Sequence, residues 1–258
     1  MTNAKKKEFV LKIVSTVFAL AASAVFVAYY AGPRLLRLYV EFGIGNCHKI
    51  PILCTMPSRT IIDPEVSKEY LSELLPYTFS KISISLPKGF TVVQETEKKV
   101  YYKRHKRLDK GSVAYLLYQP PGFFINLFPQ VKRLGITDNY AFLKRTMLAH
   151  PGGIHTLNDV FFVVMKSIFI PDLGQQSHAT MAEVSIGKRR GFLNYNLAKE
   201  ISYFECSLVN EEGEYFKVYI KDKSATLDLN KFLNIISTMR KSQKAQAEAA
   251  APPQPATQ

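Results

Sequence analysis

The stretch ISISLPKGFTVV, residues 82–93, predicts two β-strands joined by a turn. Ile82, Ile84 and Leu86 alternate with polar residues, and this period of two places them on one face of a strand. A Pro-Lys-Gly turn signal separates them from the second apolar run. The segments KVYYKRH and SVAYLLYQ continue the alternation, so strands are expected to dominate this part of the chain.

Helical patterns surround these strands. DPEVSKEYLSELL predicts a helix with Asp63 as N-cap, and TDNYAFLKRTMLAH predicts one that Thr137 caps. In TLNDVFFVVMKSIFI, Thr156 and Asp159 have the spacing of a capping box. Alternating segments then return, and LDLNKFLNIISTMRK predicts a closing helix. This order predicts an α+β fold, an antiparallel sheet with packed helices, in one domain of residues 64–242.

The same stretch, ISISLPKGFTVV, resembles the opening hairpin of Mog1/PsbP-like domains. The EGEYFKVYIK strand and the FLNIISTMRK helix are similar to the way those domains end, so the resemblance covers residues 79–240. It implies a non-catalytic assembly or binding module. It carries over no functional residue, because no motif of this chain is diagnostic for the family.

The N-terminal region predicts a membrane anchor. Residues 13–33 carry no charge, and about 20 apolar residues suffice to cross a bilayer as a helix. The basic segment 1–12 is expected to stay in the cytoplasm, which makes the chain a single-pass protein of the inner membrane with an extracytoplasmic domain. Because both flanks are basic, the reverse orientation stays open. The hydrophobic segment could also be a signal peptide cleaved near Ala24 or a buried core helix.

Residues 34–63 form a predicted juxtamembrane segment that contains Cys47 and Cys54. Outside the cytosol the two cysteines are expected to form a disulfide, since their short separation allows the required approach. Two further possibilities are free thiols and a metal, redox or intermolecular role. The Ala/Pro/Gln-rich tail 243–258 is expected to be disordered.

Two surfaces are candidate interaction sites. The apolar loop 119–135 must be buried or must dock onto a partner, with a ligand-pocket lid as a third possibility. The basic and aromatic segment 98–107 is either a solvated strand face or a patch for an anionic surface. The docking residues would be Phe123, Phe124, Leu127 and Phe128, and the anionic-surface residues would be Lys99, Lys103, Arg104, Lys106 and Arg107.

Catalytic signatures are weak. The chain has no phosphate-binding loop, serine-hydrolase elbow or zinc-protease motif, and we predict no catalytic residue, no metal and no cofactor. A net charge of +13 favours anionic surfaces. The leading hypothesis is a non-catalytic binding or assembly module of the bacterial cell envelope, with an envelope protein as partner and no nucleic acid. Two competing hypotheses are an envelope enzyme that uses His150, His155 or Cys206, and a cytosol-facing domain that binds anionic lipid or nucleic acid.

Overall fold

The computed structural model describes residues 23, 25–42, 51–104, 111–170, 179–197 and 201–242. Contacts group them into two compact units. The helical unit holds the described residues up to Cys54 and those of Ala149–Ser177, and the sheet unit holds Thr55–Leu148 and the described residues from Ala179 onward. The predicted boundaries of 34–63 and 64–242 stay predictions.

Within these residues the elements follow one another in chain order. They are α1 (Gly32–Phe42), which continues a π-helical turn at Val27–Ala31, α2 (Pro51–Cys54), β1 (Pro57–Ile62), α3 (Lys68–Ser72), β2 (Leu74–Phe79), β3 (Ile82–Pro87), β4 (Phe90–Glu95), β5 (Lys99–Arg104), β6 (Val113–Gln119), α4 (Phe123–Leu127), a 3-10 helix at Pro129–Leu134, α5 (Asn139–Met147), a 3-10 turn at Pro151–Gly153, α6 (Leu157–Phe169), β7 (Thr180–Ile186), β8 (Arg189–Leu197), β9 (Ser202–Asn210), β10 (Tyr215–Asp222), α7 (Leu229–Ser237) and β11 (Arg240–Lys241).

The sheet unit contains a large sheet with the strand order β1-β7-β8-β9-β10-β6-β5-β4 and a small sheet with the order β11-β3-β2. The predicted α+β class is confirmed, but the large sheet is mixed, because β1 pairs with β7 in parallel while the other neighbouring strands of this sheet are antiparallel. Strand β1 lies in the segment predicted as juxtamembrane. The prolines of this segment and its lack of alternation argue against a strand, so the sequence alone does not predict it.

The strands and turn predicted at residues 82–93 are present, and Ile82, Ile84 and Leu86 are buried together as expected. The turn at Lys88 and Gly89 nevertheless joins two sheets, because β3 pairs with β2 while β4 pairs with β5. This stretch therefore marks the place where the chain passes from the small sheet to the large one.

The helix predicted from Asp63 is wrong over most of its length. Helix α3 covers only Lys68–Ser72 and is capped by Ser67, and β2 begins at Leu74. Asp63 accepts a hydrogen bond from the Gly187 backbone N–H at 2.7 Å instead of capping a helix. Pairing of β2 with β3 along its whole length overrides the helical propensity of the ELL segment.

The other helix starts agree better with the sequence. Asp138, one residue after the predicted Thr137, caps α5 by accepting a hydrogen bond from Ala141 N–H at 2.8 Å. The capping box of Thr156 and Asp159 at the start of α6 is confirmed.

One face of the large sheet holds the main core. Helix α7 packs on this face, where the Phe232 ring stacks on Phe204 with 4.7 Å between centroids. Cys206 lies in the same core and is fully buried, as its alternation with Phe204 and Leu208 predicts. The small sheet contributes Ile84 and other apolar side chains to this cluster, so the core joins both sheets.

Helices α4 and α5 belong to the opposite face. Helix α5 packs on β8 and β9, and the Phe124 ring contacts Tyr215 edge-on at 5.0 Å. Asn139 is fully buried there and ties the region together: its amide donates to the carbonyls of Pro120 and Gly213 and accepts from the Phe124 N–H. All three contacts satisfy polar groups that burial would otherwise leave unpaired.

No helix among the described residues is long and apolar enough to cross a membrane. Of the predicted anchor 13–33, residues 13–22 and 24 lie outside those residues, as do segment 1–12 and tail 243–258. These assignments stay predictions.

Candidate ligand-binding cleft

A cleft of about 430 Å³ opens at one end of the sheet unit. It lies between α3, the turn that joins β3 to β4, the end of β5 and the loop from β10 to α7. Leu74, Phe90, Ile220 and Leu227 give it an apolar lining, and charged side chains occupy its floor and rim. This volume is suited to a small molecule or to one group of a larger partner.

Asp222 at the floor organises the loop after β10. One carboxylate oxygen accepts from the Ser112 hydroxyl at 3.0 Å and from the Ser224 N–H at 3.1 Å. The other accepts from the backbone N–H groups of Thr226 and Leu227, both at 2.8 Å. These bonds hold the loop in one conformation and occupy the lone pairs of the carboxylate, as in other turns that an aspartate nucleates.

Arg104 completes the floor. Its guanidinium lies 3.4 Å from Asp222 and donates to the Ser224 hydroxyl at 2.9 Å. The same group stands over the Phe90 ring, 5.4 Å from its centroid. Asp222 and Arg104 are both buried, so this pair fixes β5 against the end of β10.

The protonation state of Asp222 follows from these contacts. Burial by itself would raise the pKa of the carboxyl, but the hydrogen bonds from Ser224, Leu227 and Ser112 outweigh that effect and lower the pKa to about 2. Asp222 is therefore ionised at neutral pH and balances the charge of Arg104.

The rim supplies additional donors. Burial, with the carboxylates of Asp228 and Glu73, raises the pKa of Tyr70 to about 12, so its hydroxyl keeps its proton. The Lys231 ammonium donates to a loop carbonyl at 3.0 Å, and Lys88 projects from the exposed turn between the two sheets. Lys231 also lies 3.8 Å from the Asp228 carboxylate, so the cleft favours an anionic group through its hydrogen-bond donors rather than through an excess of positive charge.

The residues predicted for an anionic surface do not share one face of β5. Strand alternation places Lys99 and Lys103 on one side and Arg104 on the other, where it is buried in the cleft floor. The Lys99 ammonium lies 4.4 Å from the centroid of the Tyr101 ring and 4.8 Å from that of Tyr115. Lys103 is exposed, and the remaining members, Lys106 and Arg107, lie outside the described residues.

The predicted docking loop is helical and largely packed. Phe124 is buried and stacks on Phe142 with 5.0 Å between centroids, and Phe128 stacks on the same ring at 5.8 Å. Phe123 is half-buried with its ring edge-on to Phe124. Leu127 is the exposed member of the set. Docking through this loop stays a prediction.

The candidate catalytic residues make contacts that belong to the fold. Cys206 is fully buried, and burial raises the pKa of its thiol. His150 caps the turn at Pro151–Gly153, where its Nδ1 accepts from Gly152 N–H at 2.9 Å. The His155 backbone N–H donates to Asp159. Over the residues that the structure describes, no group of three His, Cys, Asp or Glu is placed to hold a metal ion.

The predicted disulfide lies at the edge of the described residues. Cys54 ends helix α2, whereas Cys47 is outside the described ranges. The bond between them therefore stays a prediction.

The sequence did not predict the cleft. Asp222 and Arg104 are 118 positions apart, and only the pairing of β5, β6 and β10 brings them together. A weak local signal exists: in DKSAT the aspartate is followed by Ser224 and Thr226 at the spacing of an aspartate-nucleated turn. No local pattern indicates the rim residues.

Comparison with known proteins does not assign the chain to a family. No family model matches it, and no curated protein matches it. Among solved structures it is similar to a crystal structure from Bacteroides thetaiotaomicron VPI-5482 at 1.50 Å resolution, with a TM-score of 0.33 and 7% identity over 67% of this chain. The chain spans about half of that protein's length (49%).

Proposed function

We propose that the chain is a non-catalytic binding module of the bacterial cell envelope, held at the inner membrane by residues 13–33 with its folded part outside the cytosol. The uncharged segment and its short basic leader support the anchor and its orientation. A disulfide between Cys47 and Cys54 would be compatible with that compartment and would stiffen the connection between anchor and folded part.

The observation that carries the binding role is the donor-rich cleft. Its floor is a neutralised Arg104–Asp222 pair, and its rim offers the Tyr70 hydroxyl and the ammonium groups of Lys88 and Lys231. Charge-assisted hydrogen bonds from such donors suit a carboxylate or phosphate, while the apolar lining suits an attached ring or alkyl group. Because Asp222 already accepts several hydrogen bonds, it is a poor general base, which favours binding over catalysis.

Binding can be tested with phenyl phosphate, which combines an anionic group with an aromatic ring. Replacing Lys88 and Lys231 together by alanine is expected to weaken its affinity about tenfold, corresponding to about 1.4 kcal/mol. Isothermal titration calorimetry on the full chain in detergent would measure this. The loss should shrink as salt is added, because the rim is open to solvent.

The matched control removes two exposed lysines of the same unit, Lys132 and Lys144, and changes the net charge equally. It should leave the affinity unchanged. Equal weakening in both double variants would show that only net charge matters. A wild-type chain that binds no phenyl phosphate at millimolar concentration would contradict the assignment of the cleft to anionic groups.

A further inference from the structure

Helix α6 of the helical unit carries an apolar stripe on its outer side. Leu157, Phe161, Val164 and Ile168 follow one another at spacings of four, three and four residues, which places them on one face. Leu157 and Val164 are each 51% exposed, Ile168 is 66% exposed and Phe161 is half-buried. A contiguous apolar stripe of this kind marks an interaction surface more often than scattered exposed residues do.

The inner side of α6 fixes the direction of this stripe. Val163 packs with Leu53 and Ile154 in the small core of the unit. Lys166 is fully buried on the same side, and its ammonium donates to the Ala149 carbonyl at 2.9 Å and to the Leu53 carbonyl at 3.4 Å. Rotating the helix to hide the stripe would break these hydrogen bonds and expose the core, so the stripe is a stable feature of the fold.

The neighbour of α6 in the unit is α1, which has the same character. Leu35, Leu38 and Tyr39 are exposed on α1, and Arg34, four residues before Leu38, is exposed beside them. Among the described residues, more than half of the exposed large hydrophobic side chains belong to the helical unit, although it is much the smaller of the two.

The position of α1 relates the stripe to the predicted anchor. Helix α1 begins at Gly32, where the predicted anchor ends, and its 11 residues extend about 16 Å. Because α6 packs against α1, the contact between the two helices lies within about that distance of the predicted end of the anchor. Helices that lie at the boundary between lipid headgroups and acyl chains typically combine arginines with apolar side chains.

We infer that α6 lies in the membrane interface, with Leu157, Phe161, Val164 and Ile168 inserted below the headgroups of the leaflet next to the anchor. The inference rests on the proposed anchor and adds a second membrane contact, from a helix that lies far beyond the anchor along the chain. Two contacts give the helical unit a defined orientation toward the bilayer, which a single anchor would not.

The sequence offers a clean probe, because it contains no tryptophan. Three full-length variants, Ile168→Trp, Phe26→Trp and Val93→Trp, each report on one site. Phe26 lies in the predicted anchor, and Val93 on β4 is 63% exposed, which matches Ile168 in exposure outside the helical unit. Each variant is reconstituted in phosphatidylcholine–phosphatidylglycerol vesicles with or without bromine on the acyl chains, and loss of emission measures contact with the hydrocarbon.

The expected result is that brominated lipid quenches Ile168→Trp and Phe26→Trp and leaves Val93→Trp bright. Leu157→Trp, at the other end of the stripe, should be quenched as well. Quenching of Phe26→Trp alone would contradict the placement of α6 in the membrane interface, while it would agree with the proposed anchor. If neither is quenched, the anchor itself fails, whereas quenching of all variants would show a non-specific association and overturn the inference.

Discussion

Replacing Asp222 by alanine is expected to lower the free energy of unfolding by about 3–5 kcal/mol, the usual cost of breaking a buried ion pair. The substitution leaves Arg104 buried without its counter-ion and removes the acceptor of the Ser112 hydroxyl and of the Leu227 N–H. Urea unfolding of the full chain in detergent, followed by circular dichroism, would measure the change.

Asp228→Ala is the matched control for this prediction. Asp228 caps α7 by accepting from Lys231 N–H at 2.8 Å, but it is exposed. Its removal should cost about 1 kcal/mol, as is usual for an N-cap. If Asp222→Ala were no more destabilising than Asp228→Ala, Asp222 would not organise the cleft floor.

The second large effect concerns the opposite face of the large sheet. Lys217 on β10 lies 2.7 Å from the Glu205 carboxylate on β9, and both side chains are buried. Tyr203 donates its hydroxyl to the other oxygen of Glu205 at 2.8 Å. Lys217→Met is expected to destabilise the chain by about 3–5 kcal/mol, because a buried carboxylate loses its counter-ion.

A double variant separates the charge from the packing. Lys217→Met combined with Glu205→Leu removes both charges, and it should recover most of the lost stability, short of about 1 kcal/mol for the hydrogen bond from Tyr203. The same urea titration measures both proteins. A double variant as unstable as Lys217→Met would mean that side-chain volume, rather than the unpaired charge, sets the cost.

The sequence allows local structure to be predicted well where one pattern acts alone. Alternation predicts β3 to β6 and β9, and it places Cys206 in the core. The capping box locates the start of α6 to the residue. In each case the determinant lies within a few positions of the element it forms.

Such local patterns do not predict features that depend on pairing between distant parts of the chain. Leu74 and Leu75, the first two residues of β2, end a helical pattern in the sequence, and pairing with β3 decides their conformation. Strand β1 joins the sheet through β7, more than a hundred positions away. From the charge of Arg104 alone, the sequence predicts that this residue is exposed. The sequence of β5 does not show that Asp222 pairs with Arg104 on the buried side of the strand.

For the interaction sites too, the sequence indicates some features and only the structure shows the others. The sequence of the apolar loop around Phe124 indicates that its side chains must be buried or must dock onto a partner. The structure shows that the Phe124 ring packs against Phe142 and Tyr215. The sequence of α6 has an ordinary amphipathic pattern. Its periodicity does not show which apolar side chains face the core and which face outward. Only the burial of Lys166 and Val163 decides that.

The most direct test of the proposed binding role is to map where an anion binds. Phenyl phosphate is titrated into the isotopically labelled full chain in a nanodisc, and amide shifts are followed by nuclear magnetic resonance. We expect the largest shifts around the cleft, at Gly89, Thr226, Leu227 and Lys231. Shifts that cluster instead at Lys188 and Arg190, which line a second cleft of about 400 Å³ at the start of α5, would contradict it.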